Sequence, residues 1–287
     1  MSSFSCPHFD ARSDGCDRVR AECVPMRITT WNVNGLRAAL KKGFGDCLAQ
    51  IAPDVLLLQE VRSRPEQLPP LWQQPAGWHV QWHPAATGGY AGTAIWSRQP
   101  METLGTGIGD QSDPDGRVLR ARVGRLQVVC VYLPSGSAGP QRQQIKEAWM
   151  ALFLPWAGQL ADADEPVVMG GDLNIAHTAR DIFYAKGNAK NSGFLPHERQ
   201  WFGRLLEQGW TDFVRLHFGD VDGPYTWWSN RGSARPLDRG WRIDYLLGNH
   251  AARELWTRAS VYRPGGLTVS DHAPVTVDLD GCPALRC

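Results

Sequence analysis

The stretch PVVMGGDLNIAH, residues 166–177, decides the fold. PVVM is a short apolar run that reads as a buried strand, and it halts at two glycines. Asp172 and Asn174 follow, two residues apart. Taken alone, Asp or Asn after Gly is an ordinary turn former. A buried strand that presents a carboxylate and an amide at its tip still needs an explanation.

The same pattern recurs on both sides. RITTW reads as a strand and stops at NVNG, which holds Asn32 and Asn34. LRAALKKGFGDCLAQIAP reads as helix, broken near Gly43 and Gly45 and ended by Pro53. VLLL (55–58) is apolar and uninterrupted, as in a strand buried on both faces, and ends at Gln59 and Glu60. WHVQWHP and GTAIWSR read as strands around a GGYAG loop. LQVVCVYLP (126–134) is another buried strand, with Tyr132 at its end. QRQQIKEAWMALFLPWAGQLAD has apolar residues at helical spacing. FLPHERQWFGRLLEQG is a helix with Pro196 at its start and Gly209 at its end. YTWWS, RIDYLLG and VTVDL read as the last strands. Asp244 lies in WRID, and Asp271 with His272 precedes the final strand.

Strands and helices mix throughout, without a fixed repeat or a low-complexity linker. One α/β domain over residues 26–280 is the economical organisation. Residues 1–25 are polar and aperiodic and are expected to be a disordered extension; residues 281–287 are a tail. The chain has 287 residues, 43% of them hydrophobic, enough for a sizeable core. Its net charge of +1 selects no partner, so a nucleic-acid binder would need a local basic face. The seven cysteines fit no disulfide framework, which points to a reducing cytoplasm. Cys6, His8, Cys16 and Cys23 match no usual zinc spacing. No segment has the length of a membrane span.

Six apolar elements thus carry an amide or ionisable residue at or near one end. Glu60, Asp172, Asp271, Asn32 and Asn174 are hard oxygen donors, suited to Mg²⁺ or Mn²⁺ rather than Zn²⁺. Asp244 with His272 resembles an acid–base pair. A hard metal, amides and an imidazole together suit attack on phosphorus.

WNVNGLR, LLLQE, VYLPSG, GDLNIAH, KGNAKNSGF, GWRIDY and SDHAPV occur in the order and spacing of a known family. Over residues 26–280 the chain resembles the exonuclease III family of apurinic/apyrimidinic endonucleases. GDLN is shared with the wider endonuclease/exonuclease/phosphatase superfamily; GNAKNSGF with PHER, and GWRID, are more specific. The resemblance implies a DNase I-like α/β fold, a four-layer αββα sandwich of two mixed β-sheets face to face with helices outside. It implies a metal site built on Glu60, supported by Asn32, Asn34 and Asp271, with Asp172 and Asn174 alongside. Asp172 would activate the attacking water, and Asn174 would hold the phosphate. Tyr132 would stabilise the leaving oxygen or donate a hydrogen bond. His272, oriented by Asp244, would contact a phosphate oxygen or shuttle a proton.

Trp227, Trp241 and Ile243 match an apolar pocket for a base-free sugar, although strand-like YTWWS and GWRID also read as plain core. Trp228 should face away from Trp227. Arg37, Tyr90, Arg142, Asn188, Lys190 and Asn191 match DNA contacts, and RGSARPLDRGWR (231–242) supplies local positive charge. The implied activity is Mg²⁺-dependent (or Mn²⁺-dependent) hydrolysis of the phosphodiester 5′ to an abasic site in duplex DNA, with 3′→5′ exonuclease and 3′-phosphatase action on blocked 3′ ends. A monomer in the cytoplasm, nucleoid-associated in a bacterium, is expected. The alternatives are a 3′-end processing enzyme or another phosphoesterase of this fold, and a non-catalytic regulator.

Overall fold

The computed structural model describes residues 23–283. The expectations for residues 1–22, including Cys6, His8 and Cys16, and for residues 284–287 lie outside the described residues.

Among the described residues, twelve strands form two six-stranded sheets. In chain order they are β1 (Cys23–Asn32), β2 (Val55–Gln59), β3 (His79–His83), β4 (Thr93–Ser97), β5 (Met101–Thr106), β6 (Val118–Val123), β7 (Leu126–Tyr132), β8 (Val167–Asp172), β9 (Thr211–Asp212), β10 (Asp244–Gly248), β11 (Trp256–Val261) and β12 (Val275–Pro283). The first sheet runs β11-β12-β1-β2-β4-β3 and the second β5-β6-β7-β8-β10-β9. Each is mixed: β1 with β2 and β7 with β8 are parallel, and the other pairs are antiparallel.

Alternation along the strands builds the layers, because successive side chains leave opposite faces. Val55 and Leu57 of β2 join Val128 and Cys130 of β7, Val168 of β8 and Leu246 of β10 in one core between the sheets. Leu56 and Leu58 instead face outward, with Phe44 and Leu48 of the Phe44–Ile51 helix. Val129, Val131 and Met169 face the other way, against Phe153 of the Pro140–Ala161 helix and Phe202 of the Pro196–Glu207 helix. This is the expected four-layer sandwich.

The differences are local. β1 begins at Cys23 rather than Met26, and β12 continues to Pro283, because the two pair from Cys23↔Pro283 to Thr30↔Val275. The helix after NVNG does break at Gly43, whose φ is 96°, but Gly45 stays helical. YTWWS forms no continuous strand. Trp227 makes isolated bridges to Trp241 and His272, with its N–H on the Trp241 carbonyl, and the Trp228 N–H turns to the Asp271 carbonyl.

The glycines before Asp172 explain how the sheets meet. A Cβ on Gly170 would lie 2.6 Å from Leu246 Cδ2 and 2.7 Å from Leu57 Cδ1, the latter on the opposite sheet. A Cβ on Gly171 would strike the Val131 carbonyl oxygen of β7. Bare backbone at Gly170 lets the second sheet press against the first just below the strand tips, and at Gly171 it clears the neighbouring strand of the same sheet.

Arg242 sits fully buried one residue before Ile243. Its Nε donates to Asp181 Oδ1 at 2.7 Å and its Nη1 to Asp212 Oδ2 at 2.7 Å; Arg215 also donates to Asp181. Burial alone would raise the Asp181 pKa, but Arg242 and Arg215 outweigh it and hold the carboxyl well below the usual carboxylate range. The folded pKa is thus depressed. The resulting stability is present above the unfolded value of about 3.9 and is lost as pH falls toward the folded value. Asp181→Asn is expected to cost about 3 kcal/mol near neutrality, the low end for a broken buried pair, since the buried Arg242 guanidinium loses one of its two carboxylate partners and keeps Asp212. Urea unfolding at stepwise lower pH should show the gap between variant and wild type narrowing below about pH 4.

Candidate active site

The tips of five strands, two from the first sheet and three from the second, bring the predicted residues together. Asn32 ends β1 opposite Gln59 of β2; Tyr132 ends β7 opposite Asp172 of β8, which also faces Asp244 of β10. Two hydrogen bonds to carboxylates cross between the sheets, above weaker ones that join Cys130 Sγ of β7 to Gln59 and Leu58 of β2. Asn32 Nδ2 donates to Asp172 Oδ2 at 2.9 Å, and Tyr132 Oη donates to Glu60 Oε1 at 2.9 Å. Asn32 Nδ2 also reaches Glu60 Oε1 at 2.8 Å, so one amide bridges both carboxylates. Its carbonyl oxygen accepts the Asn34 backbone N–H at 3.0 Å. The Asn32 amide is therefore held between the two carboxylates and the Asn34 backbone.

Three of these residues adopt a backbone that L-residues avoid. φ is 47° at Asn34, 51° at Glu60 and 49° at Asn174. Such conformations cost on the order of 1–3 kcal/mol each and persist only where surrounding bonds impose them. Here the Asp172 carboxylate accepts the Asn174 N–H at 2.9 Å, and the Glu60 carbonyl accepts the Gly35 N–H at 2.8 Å.

A cavity of about 860 Å³ opens over these tips. Asn34, Glu60, Tyr132, Asp172, Asn174, Asp271 and His272 line it, and so do Trp227, Trp241, Ile243, Lys190 and Asn191. Asn32 and Asp244 stand behind this wall, fully buried. Asp244 Oδ2 lies 2.9 Å from His272 Nδ1, and His272 Nε2 lies 3.9 Å from Asp172 Oδ2. Trp31 Nε1 donates to the His272 carbonyl at 2.9 Å, fixing the SDH turn. Asn34 Nδ2 donates to Asp271 Oδ1 at 2.7 Å, and Trp227 Nε1 reaches Asp271 Oδ2 at 3.2 Å. Trp228 is fully buried away from the cavity, as alternation requires.

Charge is concentrated here. Burial raises the Asp172 carboxyl to about 7, with Asp244 and Glu60 adding to it against the pull of His272. Burial works against a charged His272, but Asp244 and Asp172 more than offset it and raise the imidazole to about 10. Burial, then Glu60 and Asp172, push the Tyr132 phenol well above its ordinary value. Donor atoms of Glu60, Asp172 and His272 lie within 4.8 Å of one another, the metal-ligating cluster found among the described residues. Its two carboxylates suit a hard divalent cation, because a cation would relieve the repulsion that burial leaves between them.

The remaining predicted DNA contacts lie around the rim. Arg37 lines a neighbouring groove with Lys41 and Arg62. Tyr90 accepts from Arg117 at 2.7 Å and from Arg142 at 3.3 Å, beside Tyr132 rather than in the cavity. Asn188 lies behind Asn191, and its Oδ1 accepts from Asn191 Nδ2 at 2.8 Å.

Sequence reasoning missed three parts of the site. Arg62 lines the cavity and donates to Glu60 Oε2. Arg117 sits over the Tyr132 ring, 4.9 Å from its centroid. The third part is a buried clamp. Lys146 and Glu198, both fully buried, pair at 2.7 Å. Lys146 Nζ donates to the Asn174 carbonyl at 2.9 Å, while Glu198 Oε2 accepts the N–H groups of Gly193 at 2.7 Å and Leu195 at 3.0 Å. The clamp joins Asn174 to the turn that packs on Trp241, where a Cβ on Gly193 would lie 3.0 Å from the indole. Lys146→Met should cost about 3–5 kcal/mol in chemical unfolding, because it strands a buried carboxylate; adding Glu198→Gln should recover part of that loss.

The comparisons agree with this geometry. Residues 29–272 match the model of the endonuclease/exonuclease/phosphatase family. The chain is 37% identical over 253 residues to an exodeoxyribonuclease of Bacillus subtilis, covering 87% of this chain and 98% of that one. It is 36% identical over 257 residues to the DNA repair nuclease APEX1 of Danio rerio, covering 88% and 82%. A structure of the 3′ phosphatase NExo from Neisseria, bound to a product DNA hairpin, superposes with a TM-score of 0.82 at 32% identity, over 89% of this chain and 99% of that one. With the fold, the strand-tip site and these matches together, the chain belongs to the endonuclease/exonuclease/phosphatase family.

Proposed function

We propose that this protein is a metal-dependent DNA-repair nuclease that hydrolyses the phosphodiester 5′ to an abasic site, leaving a 3′-hydroxyl and a 5′-deoxyribose phosphate. One observation carries this reading. A carboxylate cluster and an apolar wall of Trp227, Trp241 and Ile243 share a single cavity, whose rim bears Lys190 and Arg231. A phosphoesterase acting on a small soluble ester needs the first feature but has no use for a tryptophan wall beside it. A sugar that has lost its base costs less to extrude from a duplex than a paired nucleotide, and a tight apolar pocket accepts it while excluding a base. The two tryptophan rings meet edge to face, with centroids 6.0 Å apart, which keeps that wall rigid.

Glu60 and Asp172, with Asn34 and Asp271 beside them, would hold Mg²⁺, and Mn²⁺ fits the same oxygens. The bound ion would supply Lewis-acid polarisation of the phosphoryl oxygens. The chain's own groups do the rest. Asp172 takes a proton from the attacking water. His272, kept protonated by Asp244, donates to a phosphate oxygen where negative charge grows. Asn174 holds the phosphate beside Asp172. Tyr132 acts as a neutral phenol, because its pKa is pushed up rather than down, so it offers a hydrogen bond rather than a phenolate. The bond from phosphorus to the 3′-oxygen breaks, that oxygen takes up a proton from solvent to become the 3′-hydroxyl, and Asp172 returns its proton to solvent. The same centre would also remove a 3′-phosphate, a reading favoured by the likeness to the Neisseria 3′ phosphatase.

The test is a duplex carrying one tetrahydrofuran abasic analogue, run beside an intact duplex and a 3′-phosphate nick, each with Mg²⁺ and with EDTA. Incision immediately 5′ to the analogue is expected with Mg²⁺ alone. Asp172→Asn should slow it by roughly 10²–10⁴-fold, the usual worth of a general base. Activity confined to the 3′-phosphate nick would make this a 3′-end processing enzyme. No cleavage of any substrate would overturn the nuclease reading.

A further inference from the structure

Beyond the cavity rim lies a surface that the reaction above does not use. Phe183 and Tyr184 follow the buried Ile182 and project outward, 45% and 52% exposed. Their rings are perpendicular, with centroids 4.6 Å apart. The Arg239 guanidinium lies 5.8 Å from the Phe183 centroid and 5.7 Å from that of Tyr184, so one cation braces both rings. The patch is anchored to the pocket by backbone. The Phe183 N–H donates to the Gly240 carbonyl at 3.0 Å, and Ile182 bridges Trp241. On its other side Asn188 Nδ2 donates to the Tyr184 carbonyl at 2.9 Å, and Asn188 in turn accepts from Asn191, which lines the cavity.

Two exposed aromatic rings and a braced guanidinium, with the exposed Lys186 and Lys190 two and six residues further along the chain from Tyr184, make a surface for a partner that is both flat-faced and anionic. Cations alone would serve a phosphate backbone, which carries no apolar face. Within a duplex the faces of the bases are covered by their neighbours; only an unpaired base offers a face for stacking. We propose that Phe183 and Tyr184, backed by Arg239, form a stacking platform for unpaired bases of the DNA strand next to the cleavage site. The platform would extend the enzyme's substrates to abasic sites and blocked ends in single-stranded or frayed DNA. This inference rests on the nuclease reading for its substrate, but it is separately measurable as binding.

The experiment uses the full chain in EDTA, where no cleavage occurs, with fluorescence anisotropy on three probes. They are a mixed-sequence single strand with one tetrahydrofuran residue, the same strand fully paired, and a strand of the same length built only of tetrahydrofuran residues. Phe183→Ala/Tyr184→Ala should weaken binding of the base-bearing single strand by roughly 5- to 150-fold for each base lost from the platform. The paired duplex and the base-free strand should each change less than about twofold in affinity, since phosphate contacts remain. Equal weakening on all three probes would mean a general backbone contact and overturn the proposal. No weakening on any probe would overturn it too, including the case in which the variant alters self-association instead, which marks the patch as a contact between copies. Wild-type incision of the paired duplex with Mg²⁺ is measured in parallel. Its failure would overturn the nuclease reading and leave the stacking result to stand or fall by its own probes.

Discussion

The structure depends on two hydrogen bonds that cross from one sheet to the other. Asn32 reaches from β1 to Asp172 on β8, and Tyr132 reaches from β7 to Glu60 just past β2. Carboxylates are costly to bury, and each of these finds its partner on the opposite layer. The requirement propagates downward. The sheets must come close, so residue 170 beneath Asp172 is a glycine, with Leu57 of the facing sheet within reach of any Cβ there. The requirement also propagates outward, since strained backbone at Asn34, Glu60 and Asn174 is held in place by the packed sandwich below.

Around this seam the fold buries charge twice more. Arg242 between Asp181 and Asp212 fixes the segment that carries Trp241 and Ile243. Lys146 with Glu198 fixes the turn on the opposite side of the same indole. Buried ion pairs are weak sources of net stability, and their use here fits a demand for position. Both pairs flank the pocket wall. On the proposed reading that wall selects a sugar lacking its base, a task that rigid elements serve better than a solvated loop.

Much of this was legible in the chain. Apolar runs ending at Asn32, Glu60, Tyr132 and Asp172 announce a sheet whose tips carry chemistry, because a core has no use for those side chains. What stayed hidden depends on tertiary context. β5 (METLGT) and β6 (VLRARV) break the apolar pattern, since β5 is the exposed edge strand and β6 beside it leaves Arg120 and Arg122 partly solvated. YTWWS has strand-forming residues, but its amides bond to Trp241 and Asp271 rather than to a continuous partner strand. Lys146 and Glu198 read as ordinary charges on helix surfaces, and only the docking of two helices buries them. Arg62 looked like a loop charge; its φ of 50° is what turns the chain so that the side chain meets Glu60. Phe183 and Tyr184 sit in DIFYAK, where nothing in the pattern tells an exposed aromatic pair from a buried one.

The central claim is that the groups at the seam act as a unit, with Asn32 working through the carboxylates it holds. Single-turnover incision of the abasic duplex by Asn32→Ala, Asp172→Asn and the double variant tests this most directly. Groups that act together lose rate in a strongly non-additive way. The account predicts that the double variant is slower than Asp172→Asn by much less than the full factor lost in Asn32→Ala alone. Losses that multiply in full would mean that Asn32 and Asp172 serve the reaction independently, and would contradict it.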